Sequence, residues 1–150
     1  MAGELPSGVP IDDGNGPPLE LLIGRVRQQL PDQPEPMQIV DAYQLELDRL
    51  VDRMALLFGP LGVRAVIGRA MQIAVRKSPR LQGIQLLSER LDLGPVREQA
   101  TQLEADSMEH LMTDFADAVL NVLCTLIGPD LVAPLLETVF LQTQDSKRED

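Results

Sequence analysis

LMTDFADAVLNVLCTLIGPDLVAPLLETVF, residues 111–140, carries the pattern that decides the fold. Together with Met108, its apolar residues Leu111, Met112, Phe115, Val119, Val122, Leu123 and Leu126 are spaced in steps of three and four. That spacing gathers them on one face of a helix, where residues i, i+3 and i+4 lie together. Asp114, Asp117, Asn121 and Thr125 keep the same period on the opposite face, which reads as solvated. Gly128-Pro129 stops the helix, because proline lacks an N–H and clashes with the preceding turn. Residues 130–140 then resume an apolar-rich helical pattern.

A weaker copy lies 69 positions upstream, counted from Gly59 to Gly128, where Phe58-Gly59-Pro60 matches Ile127-Gly128-Pro129. Leu57, Val63, Val66, Ile67, Ala70 and Met71 align with Leu126, Val132, Leu135, Leu136, Val139 and Phe140. The expected scaffold is an all-α helical bundle of five or six helices built from two helix–Gly-Pro–helix units.

The flanks fit that scaffold. Residues 1–16 are rich in Gly, Pro and small or acidic residues. They offer too little apolar surface to offset the entropy of ordering, so a disordered tail is expected. Pro17-Pro18 suit a first helical turn, and Leu19, Leu22, Ile23, Val26 and Leu30 form a narrow stripe. Residues 17–30 thus predict a tethered amphipathic helix, which must dock on this domain or on a partner because a short helix is marginal alone. Residues 31–36 hold three prolines and predict a linker. Residues 37–142 are read as the bundle domain and 143–150 as a polar tail.

Within the bundle, residues 37–58 predict a long amphipathic helix with Leu45 and Leu56 off its stripe. After Gly59-Pro60, a third helix turns Val63, Val66, Ile67, Ala70, Met71 and Ala74 inward. Residues 79–94 are ambiguous around Gly83, with residues 84–87 read as a short extended segment or one helical turn. Residues 95–127 predict one continuous helix with a bend near Ala105-Asp106-Ser107. No alternating stretch survives beyond four residues and hairpin dipeptides are missing, so strands are not expected.

Composition bounds the function. Of 150 residues, 44% are apolar, but three Phe, one Tyr and no Trp leave few platforms for stacking bases or sugars. A net charge of −10 disfavours nucleic acid and anionic membranes as partners. The charge is uneven: residues 59–93 carry six basic and two acidic groups, residues 94–150 three and eleven. Cys124 is the only cysteine, so no internal disulfide is possible, which fits a reducing compartment. No basic segment followed by an apolar run opens the chain, so no signal peptide is expected and a cytoplasmic location is.

Chemistry has few candidates. His110 is the only histidine and leads a polar stripe, which makes it the sole candidate phosphoacceptor. Histidine phosphotransfer domains place a lysine three residues later and a small residue next, whereas Thr113 and Asp114 stand here. Asp48, Asp52, Asp114 and Asp117 are expected on solvated faces, not as paired catalytic acids. No zinc spacing, phosphate loop or nucleophile–base pair occurs, so no catalytic residue, metal or cofactor is expected. Met54, Met71, Met108 and Met112 on inward stripes would suit an adaptable ligand cavity. The remaining clue is cationic: Arg64, Arg69 and Arg76 project within about 140° on one helix, followed by Lys77 and Arg80. The resulting expectation is a non-enzymatic, self-associating interaction module, homodimeric through its off-stripe leucines Leu45, Leu56 and Leu120. It would bind a protein partner with an acidic surface through those five cations. A small-ligand sensor and a histidine phosphotransfer domain are the alternatives.

Overall fold

A computed structural model describes residues 17–88 and 90–136. The expected tails, the last helix beyond residue 136, and the pairings with Val139 and Phe140 lie outside the described residues. The chain is mostly helical, in the order α1 (Pro17–Gln28), α2 (Pro36–Lys77), a 3-10 turn (Pro79–Leu81), β1 (Gln85–Leu87), β2 (Arg90–Asp92), α3 (Gly94–Arg97), α4 (Ala105–Ile127) and α5 (129–136).

α4 is the centre. Its 23 residues bury Met108, Leu111, Met112, Phe115, Val119, Val122 and Leu123 as expected, but also Ala116, Ala118 and Leu120. Length and hydropathy would also let α4 cross a membrane; here most of its apolar window is buried by the other helices. Leu120, expected at a dimer interface, is 3% exposed and belongs to the core. Neighbours on several sides leave this helix no fully solvated face.

α2 runs 42 residues and is kinked at Gly59, where φ 76° and ψ 171° leave the helical region. A positive φ costs an L-residue side-chain strain that glycine escapes, and Pro60 supplies no N–H to the preceding turn. The two arms run oppositely along α4. Tyr43 Oη is 2.9 Å from Thr113 Oγ1, Phe58 at the kink and Leu126 line one groove, and Ser78 Oγ returns to within 2.6 Å of Asp114 Oδ2. A Cβ on Gly62 would collide with Cβ of Phe58, so that position needs glycine for space. Gly128 repeats the positive φ, at 88°, and α5 carries the chain to α1, where the Leu136 carbonyl accepts from Arg25 Nη2 at 2.6 Å.

α1 packs back within the chain, burying Leu19, Leu22 and Val26. Its polar anchor is Glu46, a buried carboxylate of α2 that accepts from Gln29 Nε2 at 2.7 Å and pairs with Arg25 at 3.5 Å and Arg49 at 3.3 Å. At the start of α2, Pro36 follows Glu35, and the Glu35 N–H donates to Gln38 Oε1 at 2.8 Å. That capping arrangement ends the linker and opens the helix.

The segment between α2 and α4 departs from expectation twice. First, residues 84–87 take the extended alternative, but in an antiparallel hairpin that was not expected, pairing Gln85 with Asp92, Leu86 with Leu91 and Leu87 with Arg90. Its turn uses Ser88 at φ 57°, a conformation that hairpins more often give to glycine or asparagine. Three-residue strands are too short to show an alternating pattern, and the docking comes from elsewhere. Asp48 Oδ1 accepts the Leu91 N–H at 3.1 Å, and Gln44 Nε2 donates to the Leu91 carbonyl at 2.8 Å. Asp48 is therefore buried, not solvated. Second, the continuous helix over residues 95–127 is interrupted. Gln99 Nε2 donates to the carbonyls of Arg80 at 2.8 Å and Pro95 at 3.1 Å. Turns follow, in which the N–H groups of Gln99, Ala100 and Gln102 bond three residues back and that of Leu103 four, and Glu104 is extended before α4 begins.

Candidate functional site

The five cations singled out from the sequence are all exposed but differ in their partners. Arg64, Arg69 and Arg76 lie exposed on the C-terminal arm of α2. Arg69 Nη1 donates to Gln72 Oε1 at 3.4 Å, a weak contact along the same helix. Lys77 instead turns to α4, 3.7 Å from Asp114 and 3.9 Å from Asp117. Arg80 is tied to Gln99 Oε1 at 2.9 Å. Among the described residues, Lys77 and Arg80 thus pair with other elements at the surface and the three arginines do not.

Beside the arginines runs a feature that the helical stripes do not announce. The C-terminal arm of α2 and the last turns of α4 leave a groove between them. One part, about 390 Å³, is lined by Phe58, Gly62, Ala65, Val66, Arg69, Val122 and Leu126. An adjoining part of about 220 Å³ adds Ile73, Asn121 and Thr125 and shares Arg69, Val122 and Leu126. Val66 and Val122 form the buried floor. Leu57 and Leu126, expected inward by their stripes, are 59% and 58% exposed. Leu56, Leu61 and Leu131 are exposed around the same two Gly-Pro reversals. Each helix turns away at its glycine before a neighbour can cover the last leucine of its stripe. Among the described residues, no acidic side chain lines the groove. Residues 54–88 hold five basic groups and no Asp or Glu, a run whose signal lay in the sequence.

The second polar cluster sits at the far end of the same helix pair. Asp114, expected on a solvated face, is 7% exposed. It accepts from the Ser78 hydroxyl and lies 3.8 Å from His110 Nε2. Asp117 is half-buried beside it, with Oδ1 buried and without a hydrogen bond. Burial pushes its carboxyl above the usual range; Asp114 adds to the rise, while Lys77 and Asn121 oppose it. His110 itself is 81% exposed on its side chain. Asp114 stands between Ser78 and His110, so the hydroxyl donates to a carboxylate and not to an imidazole base. That order lacks the nucleophile–base contact of acyl-transfer sites. Burial also raises the Cys124 thiol, with Asp117 adding to the effect, which makes it a poorer nucleophile. Among the described residues, no three His, Cys, Asp or Glu side chains converge as metal ligands. Met54, Met108 and Met112 are fully buried in the core and Met71 packs against it.

No protein-family model, curated protein or solved structure matches the chain.

Proposed function

We propose that the chain is a non-enzymatic helical interaction module, a cytoplasmic adaptor or regulator that binds a protein partner with an acidic surface. One observation carries the reading: exposed Arg64, Arg69 and Arg76 share a helix arm that has no carboxylate of its own and borders an open apolar groove. Charge complementarity accelerates encounter, and a buried apolar centre holds the complex. Lys77 and Arg80, exposed but already paired with Asp114, Asp117 and Gln99, contribute less to contact. The test is affinity purification with partner identification, comparing the wild type with Arg64→Glu/Arg69→Glu/Arg76→Glu. Loss of a defined partner with unchanged helical circular dichroism is the expected result; retention of every partner would refute the reading.

The finer architecture belongs to the same proposal. Two helix–Gly-Pro–helix units account for glycines at positive φ before proline at both reversals. Self-association is a further part, carried by exposed Leu45 and Leu56 without Leu120. Sedimentation at high concentration should show a dimer that Leu45→Lys/Leu56→Lys dissociates. A small apolar ligand is the second reading, favoured by a groove whose volume falls in the range of ligand sites. A phosphotransfer role for His110 has only its exposure in support.

A further inference from the structure

We infer that the groove between the C-terminal arm of α2 and the end of α4 receives an amphipathic α-helix of another protein, with carboxylates flanking its apolar stripe. This rests on the interaction-module reading and specifies the partner's form.

Shape comes first. From Gly62 to Ile73 the wall runs about 16 Å at 1.5 Å per residue. That length accommodates anchors at i, i+3 or i+4, and i+7, the spacing with which a helix fills a groove. The floor of Val66 and Val122 is apolar, and the walls are Phe58, Ile73 and Leu126. Gly62 and Ala65 keep one wall low, and small residues let helix axes approach closely. The rim offers little backbone for an extended strand, because both walls are helical and most of their N–H and C=O groups are paired within the helices. Even the Thr125 hydroxyl is spent on the Asn121 carbonyl, at 3.0 Å.

Charge then selects the sequence of the occupant. Arg69 lines both parts of the groove, and Arg64 and Arg76 extend the positive field along its arm. A helix with Asp or Glu beside its stripe pairs with these groups. A second copy docking through the same arm would set arginines against arginines, which like-charge repulsion penalises. An anionic membrane would be attracted by the arginines, but a flat surface cannot fill a concave floor.

The test uses the full chain as bait and a display library of randomised 16-residue peptides, supplemented with peptides covering residues 1–16 and 137–150. Ala65→Trp and Thr125→Trp each fill the groove from an exposed position on opposite walls, so one serves where the other unfolds. Arg69→Glu removes the charge. Enriched peptides should show apolar residues at i, i+3 or i+4, and i+7 with flanking carboxylates. Their binding should fall at least tenfold with either tryptophan variant and with Arg69→Glu. Acidic peptides without that pattern, insensitive to the tryptophans but lost with Arg69→Glu, would overturn the helix-in-groove inference and leave the acidic-partner reading standing. Peptides insensitive to all three variants would overturn both. Preferential enrichment of the chain's own segments, a dimer that the tryptophan variants dissociate, or Arg69-dependent sedimentation with phosphatidylserine vesicles would each replace the partner helix with a different occupant.

Discussion

Removing the carboxylate of Asp48 should unfasten the hairpin from α2. Its Oδ1 accepts the buried Leu91 N–H at 3.1 Å, and its Oδ2 accepts from Gln44 Nε2 at 3.1 Å. In Asp48→Ala the Leu91 N–H loses its acceptor, and a buried unsatisfied donor costs about 1–3 kcal/mol. Gln44 keeps its bond to the Leu91 carbonyl, so its loss is partial. Arg90 lies 3.5 Å from Asp48 but is 78% exposed, and such pairs contribute little. The sum is about 2–3 kcal/mol for alanine, by the cost of an unmade buried hydrogen bond. Asp48→Asn retains Oδ1 for Leu91 but turns an amide NH₂ toward the Gln44 amide, so about 1 kcal/mol is expected. Urea unfolding followed by circular dichroism gives the stability change, and hydrogen exchange at the Leu91 amide reports the local effect. Alanine and asparagine variants both within about 0.5 kcal/mol of wild type, the usual range for a surface substitution, would refute the reasoning, as would an unchanged Leu91 exchange rate.

Two glycine classes should behave oppositely. Gly24 and Gly68 have open space around them inside helices, so each change to Ala should stabilise by about 0.5–1 kcal/mol in thermal unfolding. Gly59→Ala must adopt φ 76° and should lose about 1–2 kcal/mol; a neutral result would mean that the reversal does not need glycine. Asp117 has a raised folded-state pKa, so its ionisation opposes folding at neutral pH. That opposition is absent below the unfolded carboxyl pKa and grows as pH rises through the folded one. Asp117→Asn should therefore raise stability at pH 7, with the gain shrinking toward pH 4; a gain that increases in acid would contradict the assignment.

Long-period apolar patterning made the helices legible, because burial of an apolar stripe is what chiefly stabilises α1, α2 and α4. What the pattern could not give was the number of sides on which a helix is covered. α4 is packed on several, so Asp114 and Leu120 are buried although neither lies on its main stripe. The hairpin was invisible because its strands are three residues long and its acceptor, Asp48, lies on a helix 43 residues earlier in the chain. The break before α4 falls at extended Glu104, where no Gly or Pro marks it in the sequence. Of the candidate site, the cations were plain in the sequence, while the pairing of Lys77 with α4 and of Arg80 with Gln99 was not. The groove arises where two helices diverge at Gly59 and Gly128, a relation between positions 69 residues apart that neither stripe contains.

Binding at the groove beside Arg69 is tested most directly by an amide NMR titration of the full chain with the most enriched acidic peptide. Shifts should concentrate at residues 62–73 and 121–126, leaving His110 and Glu109 unmoved. Shifts centred on His110 and Asp114, with residues 62–73 silent, would contradict it.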